Sequence, residues 1–140
     1  HYKLDKDLLL VGALFHDIGK MFEFKISPNI ETTMAGGLMG HIMIGTTMFQ
    51  QLKSQIPDFP RDLEYKIQHL MISHHGEKEF GSPEIPKTAE AFVLHILDLL
   101  DSRLQIVDEA LEASEAKGQF TDYINVLSRR LYIPPEKKKE

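Results

Sequence analysis

The first strongly apolar stretch of the chain runs from Leu8 to Ile18 and has hydrophobic residues on nearly every side of a helical projection. An aspartate precedes it as a potential amino-terminal cap, and Gly19 stands where a helix would stop. The pattern therefore predicts a central buried helix. His16 and Asp17 lie in its last turn, so two polar side chains end an otherwise apolar element.

Two further helices are predicted by hydrophobic residues that recur at alternating spacings of three and four. The first ends before Pro57 and Pro60, and His41 flanks its apolar stripe. In the second, His74 occupies the position where a core leucine is expected, and Gly76 ends the helix. The apolar stripes comprise Leu38, Ile42, Gly45, Phe49, Leu52 and Ile56 in the first helix, and Leu63, Ile67 and Leu70 in the second.

The segment between the first two of these helices is not helical in pattern. Over residues 21–36, hydrophobic side chains alternate with others at Phe22, Phe24 and Ile26, and a Ser-Pro-Asn sequence follows at 27–29. Alternation followed by turn-forming residues predicts a loop or a short β-hairpin here.

The C-terminal part is also predicted to be helical, after a charged loop that contains glycine and proline. One helix begins near Thr88 and runs past Arg103, and two more cover residues 105–117 and 121–130. We find no internal repeat. The prediction is an all-α helical bundle that forms a single domain over residues 1–140.

Composition narrows the class of protein further. The chain has 140 residues, enough for one domain with a core, and contains no cysteine. The absence of cysteine excludes disulfides and thiolate metal sites and suits a reducing cytoplasm, where we expect the protein to be located. The longest apolar runs are too short to cross a bilayer, so no membrane association is expected.

Charge and the amino terminus add two expectations. The formal net charge is -5, which argues against a surface that grips a nucleic-acid backbone by charge alone. A nucleic-acid substrate would then need metal ions or another domain to bind. The chain begins at His1 without a methionine, which indicates a fragment of a longer protein.

Four potential metal ligands, on three separated segments, stand where burial is expected. The residues are His16 with Asp17, His74 on its apolar stripe, and Asp98 within a hydrophobic run. Each could be an ordinary polar residue at a helix end or in a core, but a buried unpaired carboxylate costs several kcal/mol. Together they favour a metal site built from imidazole and carboxylate, which suits Mn²⁺, Fe²⁺, Co²⁺, Ni²⁺, Zn²⁺ or Mg²⁺.

The order and helical placement of these residues resemble the HD superfamily of metal-dependent phosphohydrolases. The motif residues are His16-Asp17-Ile18-Gly19-Lys20, then His41, His74-His75-Gly76 and Asp98. The chain is also similar to the catalytic half of YhaM-type 3′-to-5′ exoribonucleases. That likeness rests on Gly40-His41-Ile42, Ser73-His74-His75-Gly76-Glu77, Gly81-Ser82-Pro83, Pro86-Lys87-Thr88, and Leu94-His95 leading to Asp98 and Asp101.

The resemblance implies roles for individual residues. One metal would be held by His16, Asp17 and Asp98, and Asp17 would bridge to a second metal held by His41 and His74, with His75 close by. Asp17 and Lys20 would be the catalytic residues, with Lys20 facing the phosphate. Two divalent ions, most naturally Mn²⁺ or Co²⁺, would activate water for attack on phosphorus.

The resemblance also implies parts that this chain lacks. The superfamily has a further ligand histidine on an earlier helix, and YhaM-type enzymes carry an amino-terminal OB-fold domain that binds single strands. Both would belong to the full-length protein, which could also be an oligomer. His95 shares a helical face with Asp98 and is expected either to orient a ligand or to be a hydrogen-bonded core residue.

Three functions remain open on this basis. The first is an exonuclease-type phosphodiesterase that acts on single-stranded RNA or DNA. The second is a phosphohydrolase for small nucleotides, which the acidic charge and the breadth of HD substrates favour. The third is a signalling module that binds a nucleotide in the same pocket without cleaving it.

Overall fold

Helices dominate the computed structural model, which describes residues 2–114 and 118–134. A small antiparallel sheet and two 3₁₀ turns, Lys78–Phe80 and Asn125–Leu127, complete the secondary structure. The all-α fold with a short hairpin near residues 21–36 is thus confirmed. The helices are α1 (Lys6–Phe15), α2 (Lys20–Glu23), α3 (Met34–Lys53), α4 (Arg61–Ser73) and α5 (Ala89–Ala113), and the strands are β1 (Phe24–Ile26) and β2 (Ile30–Thr32).

Contacts along the chain divide it into two units, His1–Asp98 and Leu99–Glu140. All of the candidate metal ligands belong to the first unit. In the second, the end of α5 is followed by two antiparallel bridges, Phe120 with Tyr132 and Ile124 with Arg129. That the whole chain folds as one domain stays a prediction.

The core of the first unit lies where α1, α3, α4 and α5 supply buried apolar side chains. Leu70 and Met71 of α4 are fully buried at its centre. Gly12 of α1 approaches so closely that an added Cβ would lie 2.8 Å from Leu70 and 3.3 Å from Leu94. This core holds the carboxyl ends of α1 and α4 side by side, and both ends carry site residues. Its buried members are Leu8, Phe49, Ile67, Leu70, Met71, Ala91 and Leu94.

Helix α1 is less buried than its apolar sequence predicts. Leu8 and Gly12 are its buried residues, whereas Leu10 and Leu14 are 63% and 73% exposed. Asp5 caps the helix by accepting a hydrogen bond from the N–H of Leu8. The helix ends at Phe15, three residues before Ile18, and a turn follows. The prediction of a helix buried on all sides is therefore wrong, because one face alone packs on the core.

Helix α3 is broken at Gly40, which adopts φ 70° and ψ 161°. A positive φ of this kind is easy for glycine and costly for other residues. The break turns the first segment away from the predicted stripe, so Leu38 is 79% exposed. The helix also ends at Lys53, and Ile56 lies beyond it. The apolar stripe predicted from Leu38 to Ile56 holds for its middle part only.

Two C-terminal predictions are corrected. The segments predicted as separate helices before and after Arg103 form the single helix α5, because no helix-breaking residue lies between them. The predicted end of the second at Lys117 lies outside the described residues. Residues 121–130 are not an α-helix: Ser128 has a positive φ of 53°, and bridged extended backbone surrounds a 3₁₀ turn. Extended backbone suits the β-branched and aromatic residues of this segment.

We expect Gly19→Ala to destabilise the fold by more than about 2 kcal/mol, since overpacking a close backbone contact forces the chain apart. A Cβ at Gly19 would lie 1.9 Å from the carbonyl oxygen of His41 and 2.7 Å from the Gly45 nitrogen. Urea denaturation of both proteins would measure the difference.

Gly37→Ala is the matched control for this prediction. A Cβ at this helical position meets only Thr32, at 3.9 Å, so alanine should leave stability unchanged or raise it by up to about 1 kcal/mol. Equal stability of the two variants would contradict the close packing at Gly19.

Candidate metal centre

His16 and Asp17 enter the site from the carboxyl end of α1. His16 is the C-cap residue, and its Nδ1 donates a hydrogen bond to the carbonyl oxygen of Ala13 at 2.9 Å. Its Nε2 lies 3.5 Å from Oδ2 of Asp17 and 3.6 Å from Oδ1 of Asp98 on α5. The three side chains thus form one compact group of potential ligand atoms.

His74 and His75 enter from the carboxyl end of α4. His74 is the C-cap residue and donates from Nδ1 to the carbonyl oxygen of Met71 at 2.7 Å, which repeats the arrangement at His16. His75 donates from Nδ1 to the carbonyl oxygen of Phe80 at 3.0 Å. The chain turns at Gly76, whose φ is +80°. Helix α4 therefore ends where it can direct two consecutive histidines into one site.

His41 is held by Glu23, a residue that the sequence analysis did not identify. The His41 N–H donates to Oε1 of Glu23 at 3.2 Å, and its Nδ1 lies 3.2 Å from Oε2. Because Gly40 breaks α3, the backbone N–H of His41 has no helical partner there, and the carboxylate caps it. The Glu23 backbone carbonyl in turn accepts from the N–H of Thr33 at 2.9 Å, which fixes it at the base of the hairpin.

Glu23→Gln should weaken metal binding by about 10- to 100-fold, the usual effect of removing a carboxylate that orients a ligating histidine. The amide cannot accept hydrogen bonds from both the backbone N–H and Nδ1 of His41. Titration with Mn²⁺ would measure the affinity. Glu31→Gln on the exposed strand β2 is a control in which the affinity should not change, and an unchanged affinity in Glu23→Gln would show that the carboxylate has no such role.

Two trios of potential ligand atoms meet at Asp17. One trio is His16, Asp17 and Asp98, and the other is His41, His74 and His75; within each, the ligand atoms lie within 4.8 Å of one another. Oδ1 of Asp17 lies 3.5 Å from Nε2 of His41 and 3.7 Å from Nε2 of His74. Its Oδ2 faces His16. Asp17 therefore connects the two trios through its two carboxylate oxygens.

Three buried atoms in this cluster have no hydrogen-bond partner: Oδ1 of Asp17 and Nε2 of His41 and of His74. Nδ1 of His74 donates to the Met71 carbonyl and Nδ1 of His41 faces the Glu23 carboxylate, so each Nε2 presents a lone pair and all three atoms are electron-pair donors facing one another. Such an arrangement is unfavourable without a cation between the atoms. The donor set of imidazoles and carboxylates fits divalent metals.

The charge states agree with this interpretation. Burial lowers the pKa of His74 to about 4, so its imidazole is neutral at pH 7 and needs to lose no proton to bind a metal. Burial also lowers the pKa of His75, with a contribution from His41. The neighbouring Asp98 carboxylate raises the pKa of His16, and His16 lowers that of Asp98. At His16, therefore, a proton competes with a cation for the ring nitrogen that faces Asp98.

Two further residues border the cluster. Lys20 lies at the edge, with its half-exposed ammonium 2.6 Å from Oδ2 of Asp17. His95 donates from Nδ1 to the carbonyl oxygen of His74 at 2.9 Å, so it orients the backbone of a candidate ligand. An added Cβ at Gly76 would lie 2.1 Å from the His95 ring. The structure therefore brings together every site residue predicted from the sequence: His16, Asp17, Lys20, His41, His74, His75 and Asp98.

A cleft of about 440 Å³ opens beside the second trio. His41 and His75 line it together with residues of α3 and of the loop that follows α4. Its volume is within the usual range of small-molecule pockets, about 300–1,000 Å³. A ligand in this cleft would touch two of the candidate metal ligands.

Comparisons with known proteins point to one family. A family model described as "HD domain" matches residues 1–103. Relatives named "3′-5′ exoribonuclease YhaM" include those of Bacillus subtilis (strain 168), 37% identical over 134 residues, and Shouchella clausii (strain KSM-K16), 36% identical over 132. Each alignment covers 94% of this chain and 41% of the relative, so the chain spans less than half the length of these relatives.

The remaining searches add two findings. No solved structure matches the chain significantly. Within the described ranges 2–114 and 118–134, every helix is too short or too polar to cross a lipid bilayer.

Proposed function

Because the chain belongs to the HD domain family of metal-dependent phosphohydrolases, we propose that it cleaves phosphodiester bonds as a 3′-to-5′ exonuclease on single-stranded RNA or DNA. The observation that carries the proposal is Asp17, whose two carboxylate oxygens face two separate trios of ligand atoms. A shared carboxylate between two trios is the arrangement expected of a two-metal site that acts on phosphoesters.

In this proposal, His16, Asp17 and Asp98 would hold one divalent cation and His41, His74 and His75 would hold the other, and both groups would share the negative charge of Asp17. Two such cations would supply a nucleophile at neutral pH and offset the negative charge of the phosphate. The protein fixes the ligands beforehand, since Nδ1 of each histidine already donates to a carbonyl or lies beside a carboxylate. Mn²⁺ or Co²⁺ is the proposed activator.

Lys20 is proposed as the residue that faces the phosphate. Its ammonium contacts Asp17 and is 48% exposed, so it adds positive charge at the accessible edge of the cluster. In a chain with a net charge of -5, such a local charge helps to bring a phosphate to the ligands.

The proposed substrate class is supported by the relatives, which are named 3′-5′ exoribonucleases. The acidic surface gives little non-specific affinity for a nucleic-acid backbone. We therefore propose that the full-length protein contains an OB-fold domain that holds the single strand. We also propose that the protein is cytoplasmic and that the full-length protein forms an oligomer.

The cleft beside the second trio favours one alternative. Its 440 Å³ can accept a single nucleotide, and this would also suit a phosphohydrolase that acts on small nucleotides. The two functions differ in whether a chain of nucleotides is needed.

A degradation assay with supplied Mn²⁺ distinguishes these functions. Single-stranded RNA and DNA oligonucleotides labelled at the 5′ end should shorten progressively from the 3′ end, and Lys20→Ala should slow this by about tenfold or more, as for loss of a charge contact to phosphate. If the oligonucleotides stay intact while mononucleotides, triphosphates or cyclic nucleotides are hydrolysed, the protein is instead a phosphohydrolase for small nucleotides. Binding without turnover of any of them would reject both and indicate a non-catalytic module.

A further inference from the structure

The walls of the cleft beside His41 and His75 are mainly apolar. Met39, Met43 and Phe80 are 51%, 57% and 57% exposed, so their side chains are accessible to a ligand. Ile72 and Pro83 add further apolar surface. Exposed apolar residues gathered in a concave site next to candidate metal ligands are typical of a ligand pocket.

Phe80 is held in a defined position relative to the candidate metal ligands. Its carbonyl oxygen accepts the hydrogen bond from Nδ1 of His75, and its ring contributes to the cleft wall. The loop is anchored further by Ser82, which is 4% exposed and donates from Oγ to the carbonyl oxygens of Ile72 and Glu84 at 3.0 and 2.7 Å. The backbone that carries the Phe80 side chain is therefore tied to His75 of the second trio.

The polar groups of the cleft do not suit a phosphate. None of the described residues that line it is Lys or Arg. Its one carboxylate, Glu23, already uses both oxygens on His41. Lys20 lies by Oδ2 of Asp17, whereas the cleft borders the trio that faces Oδ1. Positive charge and apolar surface thus lie on different sides of the cluster.

From this separation we infer that the cleft binds the nucleobase of the nucleotide whose phosphate lies at the cluster, with the base stacked on Phe80. The inference rests on the proposed function, which supplies a nucleotide as the ligand. Base stacking on an aromatic ring tolerates every base and stabilises binding by roughly 5- to 160-fold. The cleft would then select for the presence of a base but not for its identity.

Calorimetric binding of adenosine 5′-monophosphate and ribose 5-phosphate to the Mn²⁺-loaded protein tests this inference without requiring catalysis. The two ligands share the sugar and the phosphate and differ in the base. We expect the nucleotide to bind about tenfold more tightly. Phe80→Ala should remove most of this difference, and Phe80→Tyr, which keeps the aromatic ring, should preserve it.

Phe92→Ala is the matched control, since Phe92 on α5 is 59% exposed and does not line the cleft. It should bind both ligands as the wild type does. Substitution of the Phe80 side chain keeps the backbone carbonyl that accepts the hydrogen bond from His75. The Mn²⁺ content should therefore be equal in all variants. Equal affinity of the two ligands in the wild type, or a preference that survives Phe80→Ala, would overturn the inference.

Oligonucleotides separate this inference from the proposed function. An RNA strand whose 3′-terminal residue lacks a base should be cleaved about tenfold more slowly than the intact strand by the wild type, and equally by Phe80→Ala. If the wild type cleaves neither strand but still prefers the nucleotide in calorimetry, the base site stands and the exonuclease proposal fails. If it cleaves both strands at the same rate, the exonuclease stands and the base site fails.

Discussion

Asp17→Asn is expected to abolish two-metal binding and to reduce phosphodiester hydrolysis by about a thousandfold or more, since several kcal/mol of charge stabilisation are lost with the cations. The amide keeps the size of the side chain but removes the negative charge that both trios share. Metal analysis of the purified variant should show less than one ion per chain, where the wild type should hold close to two.

The same variant should not unfold more easily than the wild type when both are free of metal. In the wild type, Oδ1 of Asp17 faces two imidazole nitrogens that also present lone pairs. An amide N–H₂ in that place can donate to them, so the melting temperature should stay the same or rise. Asp62→Asn, at a surface position, is the control that should keep both metal and activity. A large loss of metal-free stability in Asp17→Asn would mean that Asp17 is structural.

His74→Leu is expected to remove about one metal ion per chain and at least about a hundredfold of the activity, because a direct ligand should matter at least as much as a residue behind it. His74 is 1% exposed and continues the apolar stripe of α4, so leucine suits the surrounding core. The lost hydrogen bond to Met71 should cost only about 1 kcal/mol of the free energy of unfolding. Metal content and urea denaturation measure the two effects separately.

His69→Leu provides the comparison for this variant. His69 lies on the same helix, but its Nε2 accepts a hydrogen bond from the N–H of Lys87 and is not part of either trio. Its replacement should leave the metal content at the wild-type value. If the two leucine variants retained the same amount of metal, His74 would not be a ligand.

Much of the fold could be predicted from local patterns. The stripe of α4 and the turn residues of the hairpin gave the correct elements because packing and backbone geometry agree there. The errors arose where the pattern was ambiguous. Leu10 and Leu14 are as apolar as core residues, and their exposure depends on which elements cover α1. The kink at Gly40 could not be foreseen, because a glycine inside a helical pattern can also be part of a regular helix.

The site was more predictable than the details of the fold. His74 and Asp98 are conspicuous because polar groups in apolar runs need a partner. Glu23 was missed because it stands in a segment whose pattern indicated only a loop or a hairpin. The general rule that ligating histidines have a carboxylate or carbonyl behind them predicts such a residue near His41. The rule does not identify Glu23 as that residue, because the identity of the partner depends on where the base of the hairpin meets α3.

The end of α4 sets the geometry of the second trio. Regular helix stops at Ser73 and Gly76 adopts a positive φ, so the chain leaves the direction of α4 just after His74 and His75, and both histidines lie at the end of the helix that adjoins the site. The length of α4 therefore determines where these two candidate ligands lie. Inserting one residue into α4 would rotate His74 and His75 by about 100° relative to the start of the helix. The two histidines would then no longer face the rest of the centre.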